Sequence, residues 1–251
     1  MQINGQAAVV TGGGSGLGAE TARHLARLGA KVTVFDLNAE GVAAVAAETG
    51  GLGLAGDVGS AADAEAAMAR ARAAHGPARI LINCAGIAPA KRIVGRGGPM
   101  PLADFEQAVR VNLTGTFNFL RLAAAEMMAL EPLDDEERGV IVNTTSIAHG
   151  EGQVGQVAYA ASKAGVVGMM LPAVREFAKA GIRVVTIAPG LLATPMLLTM
   201  APEVQDELAS QVPFPHRFGR PEEYARLAQH VIENCLINGD TIRLDGGMRM
   251  T

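Results

Sequence analysis

The feature that most constrains this chain is its rhythm: short runs of branched apolar residues alternate with longer stretches of helical periodicity almost from end to end. Strands are expected at residues 6–11, 31–36, 52–55, 79–83, 140–145, 182–188 and 241–244. Helices are expected at 16–28, 39–48 and 61–75, and further long helical stretches flank the run at 140–145. Strand–helix–strand units of this length cross over right-handed and set their strands parallel, so that helices bury both faces of the sheet. The expectation is an α/β fold: a doubly wound parallel sheet of about seven strands with helices on both faces. No shift in composition marks a linker and no segment repeats, so residues 1–251 are expected to form one domain.

Composition narrows the function classes. Of 251 residues, 49% are apolar and 18% charged, enough apolar material for one sizeable core. A net charge of −4 leaves no basic footprint for nucleic acid. Uninterrupted apolar runs stay below the ~18 residues that span a bilayer. Residues 1–5 lack the basic start and apolar centre of a secretion signal. Cys84 and Cys235 make no disulfide framework, and the five histidines show no metal-ligand spacing. A cytoplasmic protein with no nucleic-acid, membrane or metal partner is expected. Residues 89–101, with Lys91, Arg92 and Arg96 among glycines, are expected as a long loop. The acidic run 131–137 is expected as a solvated loop, and the alanine richness of 39–74 is read as the composition bias of ordinary helices rather than as low complexity.

The first strand runs straight into Thr11-Gly12-Gly13-Gly14-Ser15-Gly16-Leu17-Gly18, where a helix opens. A glycine turn at that place lets backbone approach a pyrophosphate, which free N–H groups and the helix dipole then hold. The spacing differs from G-x-G-x-x-G and lacks the Lys-Ser/Thr ending of a triphosphate-binding loop. Asp36 ends the second strand, where a carboxylate accepts hydrogen bonds from the adenosine ribose hydroxyls. A 2′-phosphate would be repelled there and no arginine follows, which selects NAD over NADP. Asp36 as a mere helix cap, and Asp57 or the run Asn83 to Gly86 as plain turns, are the alternatives.

Tyr159 and Lys163 stand four apart in a helical stretch and so share a face. A free phenol titrates near ~10, too high for acid–base work at neutral pH; a nearby ammonium is expected to lower that value. Tyr-x-x-x-Lys occurs often by chance. Ser146, thirteen residues before Tyr159 at the end of a buried strand, gives it meaning, because its hydroxyl can hold a substrate oxygen while Tyr159 passes the proton.

Thr11 to Gly18, Asp36, Asp57, Asn83 to Gly86, Asn112, Ser146, Tyr159, Lys163 and Pro189-Gly190, in this order and spacing, resemble the short-chain dehydrogenase/reductase family over essentially the whole chain. The resemblance implies a single-domain Rossmann fold and the catalytic residues Asn112, Ser146, Tyr159 and Lys163. Asn112 would support a water-linked proton relay. NAD would be bound by Gly12, Ser15, Gly16, Leu17, Gly18, Asp36, Asp57, Val58, Asn83, Ala85, Gly86, Tyr159, Lys163, Pro189, Gly190 and Thr194, with Asp57 at the adenine. Cys84 departs from the pattern, since asparagine is usual there.

Residues 146–163 with Gln153 and Gln156, the run 188–191, Ser210-Gln211-Val212-Pro213-Phe214-Pro215 and the ending 242–250 further resemble one branch of that family, the type 2 3-hydroxyacyl-CoA dehydrogenases. This implies interconversion of an (S)-3-hydroxyacyl-CoA and the 3-ketoacyl-CoA in fatty acid metabolism, with Ser146, Gln153, Gln156 and Tyr159 facing substrate. It also implies a homotetramer and a mobile apolar lid over about 191–215, where Met196, Leu197, Leu198 and Met200 lie; ordinary core packing is the alternative. A steroid, an aryl ketone or a small secondary alcohol is the competing substrate class, and a silent NAD-binding protein the competing role. Lys91, Arg92 and Arg96 are candidates for the phosphates of a CoA ester, or simply a solvated basic loop. His149 follows Ser146, but no G-x-S-x-G elbow supports a hydrolase.

Overall fold

The computed structural model describes residues 1–250, apart from the side chain of Met196. Chain order runs β1 (Ala7–Thr11), α1 (Gly16–Arg27), β2 (Lys31–Asp36), α2 (Ala39–Thr49), β3 (Leu52–Ala55), α3 (Ala61–His75) and β4 (Ile80–Asn83). There follow β5 (Val94–Gly95), β6 (Gly98–Pro99), α4 (Leu102–Val109), a π-helical turn (Arg110–Thr114) and α5 (Gly115–Met128). The second half holds β7 (Gly139–Thr144), α6 (Ala148–Glu151), α7 (Val157–Phe177), β8 (Ile182–Pro189), α8 (Pro195–Leu198), α9 (Pro202–Ser210), α10 (Pro221–Glu233) and β9 (Thr241–Leu244).

Seven strands form one parallel sheet in the order β3-β2-β1-β4-β7-β8-β9. Alternate residues of a strand face opposite sides, and the core divides accordingly. Val10, Val34, Ile82 and Val142 pack under α1 and α10, whereas Val9, Phe35, Leu81, Ile141 and Val184 pack under α3, α5 and α7. Phe35 meets Phe119 with ring centroids 4.9 Å apart. The strand order reverses between β1 and β4, which opens a crevice at the carboxyl ends of those strands, the place where such sheets take ligands.

The structure departs from the sequence expectations in three places. Residues 94–99 of the expected loop form an antiparallel hairpin, β5 with β6, helped by Gly98 at φ 108°. The long helix 102–128 is interrupted by the π turn at Arg110–Thr114. Such a turn inserts a residue and re-aims the side chains around it. Finally, Glu137 is not solvated: it is 5% exposed and pairs with Arg183 of β8 at 2.7 Å. The Arg183 guanidinium also donates to the carbonyls of Val231, Ile232 and Ile237, so the buried charge is fully hydrogen-bonded. Local acidity could not foretell a partner 46 residues away.

Candidate active site

The nucleotide side is built from backbone. Gly12 and Gly16 lie at φ 65° and 53°, a region that disfavours side chains. A Cβ on Gly12 would sit 2.5 Å from the Ala85 nitrogen, and one on Gly18 2.2 Å from the Gly12 carbonyl oxygen. These glycines let β1, α1 and the turn after β4 pass in contact. At its first turn, α1 has no side-chain cap from Ser15, so the amides around Ser15, Gly16, Leu17 and Gly18 suit an anion. Asp36 Oδ2 accepts from the Gly14 amide at 3.0 Å and Oδ1 from the Asn38 amide at 3.0 Å. The carboxylate is thereby aimed along the glycine turn with acceptor capacity left over. These residues fit a dinucleotide with free ribose hydroxyls. Thr194 closes the same end: its Cγ2 would lie 3.6 Å from a Cβ on Gly16.

Other expected cofactor residues serve first as architecture. Asp57 is committed to protein partners, with Oδ2 on Arg110 at 2.6 Å and Oδ1 on the Gly59 amide at 2.8 Å. Burial pushes its carboxyl up, but the Arg110 and Gly59 hydrogen bonds outweigh that and hold it below the ordinary value. An adenine contact through these oxygens must share them. Val58 is buried against Gly115, and its carbonyl accepts from Asn118 at 2.9 Å. Asn83 is buried and stitches the sheet: it accepts from the Thr11 hydroxyl at 3.3 Å and donates to Asn143 Oδ1 at 3.0 Å. The Thr11 hydroxyl in turn accepts from the Ala85 amide at 3.4 Å. Gly86 passes over the catalytic pair, where a Cβ would be 3.2 Å from Asn112 Oδ1 and 3.3 Å from Lys163 Nζ. Pro189 ends β8 and Gly190 follows it; the Pro189 carbonyl accepts from the Ile147 amide, and the Gly190 amide donates to the Leu244 carbonyl.

The four expected catalytic residues come together. The Tyr159 phenol is hydrogen-bonded to Ser146, and Lys163 Nζ lies 5.8 Å from the tyrosine ring centroid. Buried Lys163 donates to the Thr144 carbonyl at 2.9 Å, and its own carbonyl accepts from Thr145 at 2.8 Å, which fixes α7 against the end of β7. Asn112 sits in the π turn with both ends of its amide used. Oδ1 accepts from the Ile87 amide at 2.8 Å, while Nδ2 donates to the Ile87 carbonyl at 2.9 Å and to Ser162 Oγ at 2.9 Å. Ser162 donates to the Tyr159 carbonyl at 2.7 Å, so Asn112 ties the turn after β4 to the tyrosine-bearing helix.

The electrostatics correct one expectation. Burial raises the Tyr159 phenol above its ordinary value, and the Ser146 hydrogen bond offsets only part of this. Lys163 does not reverse the direction, because its ammonium is directed at the Thr144 carbonyl and is itself lowered by burial to about 8. In the free enzyme Tyr159 is therefore a protonated acid, the form that carbonyl reduction needs.

On the substrate side, Gln153 and Gln156 belong to one tight loop: the Gln153 amide donates to Gln156 Oε1 at 2.9 Å. With Arg92, Ile93, Val94 and Val154 they border a cleft of about 570 Å³ whose inner wall includes Ala160, the neighbour of Tyr159. The cleft lining does not include Ser146 or Tyr159. It is an approach to the catalytic centre rather than the centre itself. The three loop cations separate: Lys91 pairs with Asp104 at 2.5 Å, whereas Arg92 borders the cleft and Arg96 sits at the hairpin tip. His149 is turned away from chemistry, with Nδ1 on the Ser146 carbonyl at 2.7 Å. In residues 191–215 the side chains of Leu198, Met200 and Phe214 are exposed, which excludes ordinary core packing for them.

Several working residues escaped the sequence reading. The Gly14 amide, the Thr144 carbonyl and the Ile87 backbone act through main-chain atoms that every residue type possesses. Ser162 is a short polar side chain whose link to Asn112 crosses 50 residues of sequence. Cys84 lies with Thr144 and buried Tyr224: the Thr144 hydroxyl is 3.4 Å from its sulfur and 2.7 Å from the tyrosine oxygen. Burial raises the Cys84 thiol.

Comparison with known proteins agrees with this geometry. The family model described as short chain dehydrogenase matches residues 6–205. The chain is 49% identical over 252 residues to 3-hydroxyacyl-CoA dehydrogenase type-2 of Homo sapiens, covering 99% of this chain and 97% of that protein. It is 49% identical over 253 residues to the Rattus norvegicus protein of the same name, with the same coverage. A crystal structure of 3-hydroxyacyl-CoA dehydrogenase type-2 from Mycobacterium avium superposes with a TM-score of 0.94 at 42% identity, covering 98% of this chain and 97% of that one. With the glycine turn, Asp36 and the Ser146–Tyr159–Lys163 centre in place, the chain belongs to the short-chain dehydrogenase family.

Proposed function

We propose that this protein is an NAD-dependent oxidoreductase that interconverts (S)-3-hydroxyacyl-CoA and 3-ketoacyl-CoA. The observation that carries the reading is the Ser146–Tyr159 hydrogen bond beside buried Lys163, with an open, largely apolar cleft reaching Ala160, the neighbour of Tyr159. Likeness to proteins named 3-hydroxyacyl-CoA dehydrogenase type-2 favours the acyl-CoA over a steroid or simple alcohol.

Bound NAD(H) supplies the hydride donor or acceptor for this chemistry. In reduction, the Ser146 hydroxyl donates to the substrate carbonyl oxygen and holds it beside the Tyr159 phenol, which gives up its proton as the oxygen becomes an alcohol. Lys163 places a positive charge near the tyrosinate that remains. Asn112 holds the Ile87 turn and α7 in register, and through them the tyrosine. In oxidation Tyr159 must first lose its proton and then accept that of the hydroxyl.

The exposed apolar residues of 191–215 form a lid that excludes water when substrate is bound. Arg92 and Arg96 receive the phosphates of the CoA moiety, while Lys91, paired with Asp104, contributes less. A homotetramer fits the uncovered apolar surface of α4, α5 and α7, where Leu102, Phe117 and Leu171 are 69%, 48% and 45% exposed. Two free thiols, Cys84 and Cys235, suit a reducing compartment such as the cytoplasm.

The test is the rate of NADH oxidation with acetoacetyl-CoA, run beside NADPH and beside a small ketone. Fast turnover with NADH and the CoA ester supports the proposal. Activity on the ketone alone overturns the acyl-CoA assignment, and preference for NADPH overturns the role of Asp36.

A further inference from the structure

Ser146 stands at the end of β7 on a connection that has little structure of its own. The helix that follows, α6, is four residues long, and a single turn cannot stabilise itself in water. Something else must hold the serine in place. At its near side the Ile147 amide donates to the Pro189 carbonyl at 3.0 Å. At its far side stands Glu151, whose carboxylate is held by Arg243 and the Met250 amide from the last stretch of the fold. Arg243 of β9 approaches as a fork, with one terminal nitrogen 2.8 Å from Oε1 and the other 3.2 Å from Oε2, and the Met250 amide donates to Oε2 at 3.1 Å. The same guanidinium donates through Nε to Asp245 at 2.7 Å and to the Met248 carbonyl at 2.8 Å.

The end of the chain also reaches residues 212–214, where the lid returns to the body. The Phe214 amide donates to the Gly246 carbonyl at 3.2 Å. Gly246 lies at φ 62°, and a Cβ there would be 2.6 Å from Val212 Cγ1, so the two segments are in close contact. Ile147, Val212 and Met248 form a small buried apolar cluster apart from the two main cores, flanked by Leu191 and Met250. Three segments far apart in sequence therefore meet: the serine turn, the two ends of the lid, and residues 243–250.

We infer that Arg243, acting through Glu151, Asp245 and the C-terminal segment, is a positioning residue that sets the Ser146 turn and the return arm of the lid together. The side chains of Arg243 and Glu151 are 27% and 21% exposed, so their charge attraction alone adds little stability. What the fork supplies is direction, because a bidentate pair fixes orientation as well as distance. Movement of Ser146 relative to Tyr159 degrades the geometry of proton transfer, and a displacement of about 1 Å can cost on the order of 100-fold in rate. The inference rests on the proposed role of Ser146, so its test includes a readout that needs no substrate.

The test is hydrogen exchange on the full-length protein and on Arg243→Met, Arg243→Lys and Glu151→Gln, followed at the Ile147, His149, Glu151 and Phe214 amides. Arg243→Met is expected to lose roughly tenfold in protection at these amides. Residues 12–18 stay protected and NADH affinity stays within about twofold, whereas kcat/KM with acetoacetyl-CoA falls about tenfold or more. Arg243→Lys, which keeps the charge but not the fork, recovers part of the loss. Unchanged protection at 147–151, or an equal loss across residues 12–18, overturns the inference. If Arg243→Met does not fold, Glu151→Gln is read by the same criteria. A wild-type protein inactive on acetoacetyl-CoA would overturn the substrate assignment, while exchange would still decide the role of Arg243.

Discussion

Around Gly12 and Gly18 the chain is packed backbone against backbone, whereas around Ser146 and Tyr159 side chains from distant segments do the holding. In the first region there is no room for even a methyl group: a Cβ at Gly18 would lie 2.2 Å from a carbonyl oxygen. In the second, the Lys163 ammonium is held by the Thr144 carbonyl and the Asn112 amide by Ile87 and Ser162, while Ser162 also ties the Tyr159 carbonyl. The difference suits the ligands. A pyrophosphate is constant and is best met by fixed amides, while chemistry requires groups that change protonation state. The substrate side also carries the exposed apolar and basic residues, since it must admit a partner of variable shape.

The largest effect expected is on the side-chain half. Tyr159→Phe should lose about 10²–10⁴-fold in turnover, the usual weight of a general acid, while NADH fluorescence titration shows normal affinity. Retained turnover would show that Tyr159 is not the proton donor. Gly18→Ala should break the backbone half instead. Its overpacking costs about 1–3 kcal/mol and lowers Tm by several degrees, and NADH binding weakens with it. An unchanged Tm with normal affinity would mean that the close approach is not required. Asp36→Ala should weaken NADH about tenfold and leave NADPH unaffected or improved, as two ribose hydrogen bonds of about 1 kcal/mol or less each are lost. Equal loss for both cofactors would remove Asp36 from the discrimination.

A smaller effect separates the loop cations. Arg92→Glu with Arg96→Glu should raise KM several-fold for a CoA ester and spare a small ketone, while Lys91→Glu does less because Asp104 already holds Lys91. Equal effects of all three, or none, would return this loop to a solvated role. The smallest effect is in pH. Lys163 is held at about 8, so its positive charge is present below that pH and lost as pH rises through it. Tyr159, raised above its ordinary value, stays protonated over the same range. The kcat/KM for reduction should therefore decline above about pH 8, and a profile flat through that window would contradict the burial of Lys163.

Much of the backbone half was legible from residue order alone. The run Thr11 to Gly18 between a β-rich run and a helix has few other physical meanings, and Asp36 falls where the second strand ends. The strand positions were legible because burial on both faces demands continuous branched apolar runs, and all seven are found in the sheet. The side-chain half was legible in its members but not in its condition. Tyr159 and Lys163 share a helix face, yet whether the ammonium lowers the phenol or burial raises it depends on how deeply both are sunk, which no spacing reveals. Asp57 is engaged by Arg110 through the π turn, and Glu137 by Arg183; both pairings cross more than 45 residues of sequence. The hairpin at residues 94–99 has too few residues to leave a periodic signal.

The sequence by itself determined the alternation of strands and helices, the glycine turn, the carboxylate at the end of the second strand and the shared helix face of Tyr159 and Lys163, because these follow from local sterics, periodicity and side-chain chemistry. Tertiary structure alone decided which groups are buried, which charges are already paired, where the π turn aims Asn112, and how residues 243–250 come to stand beside Ser146. Those are properties of atoms brought together across the fold, where solvent exclusion and hydrogen-bond partners, rather than residue type, set the energy of each group.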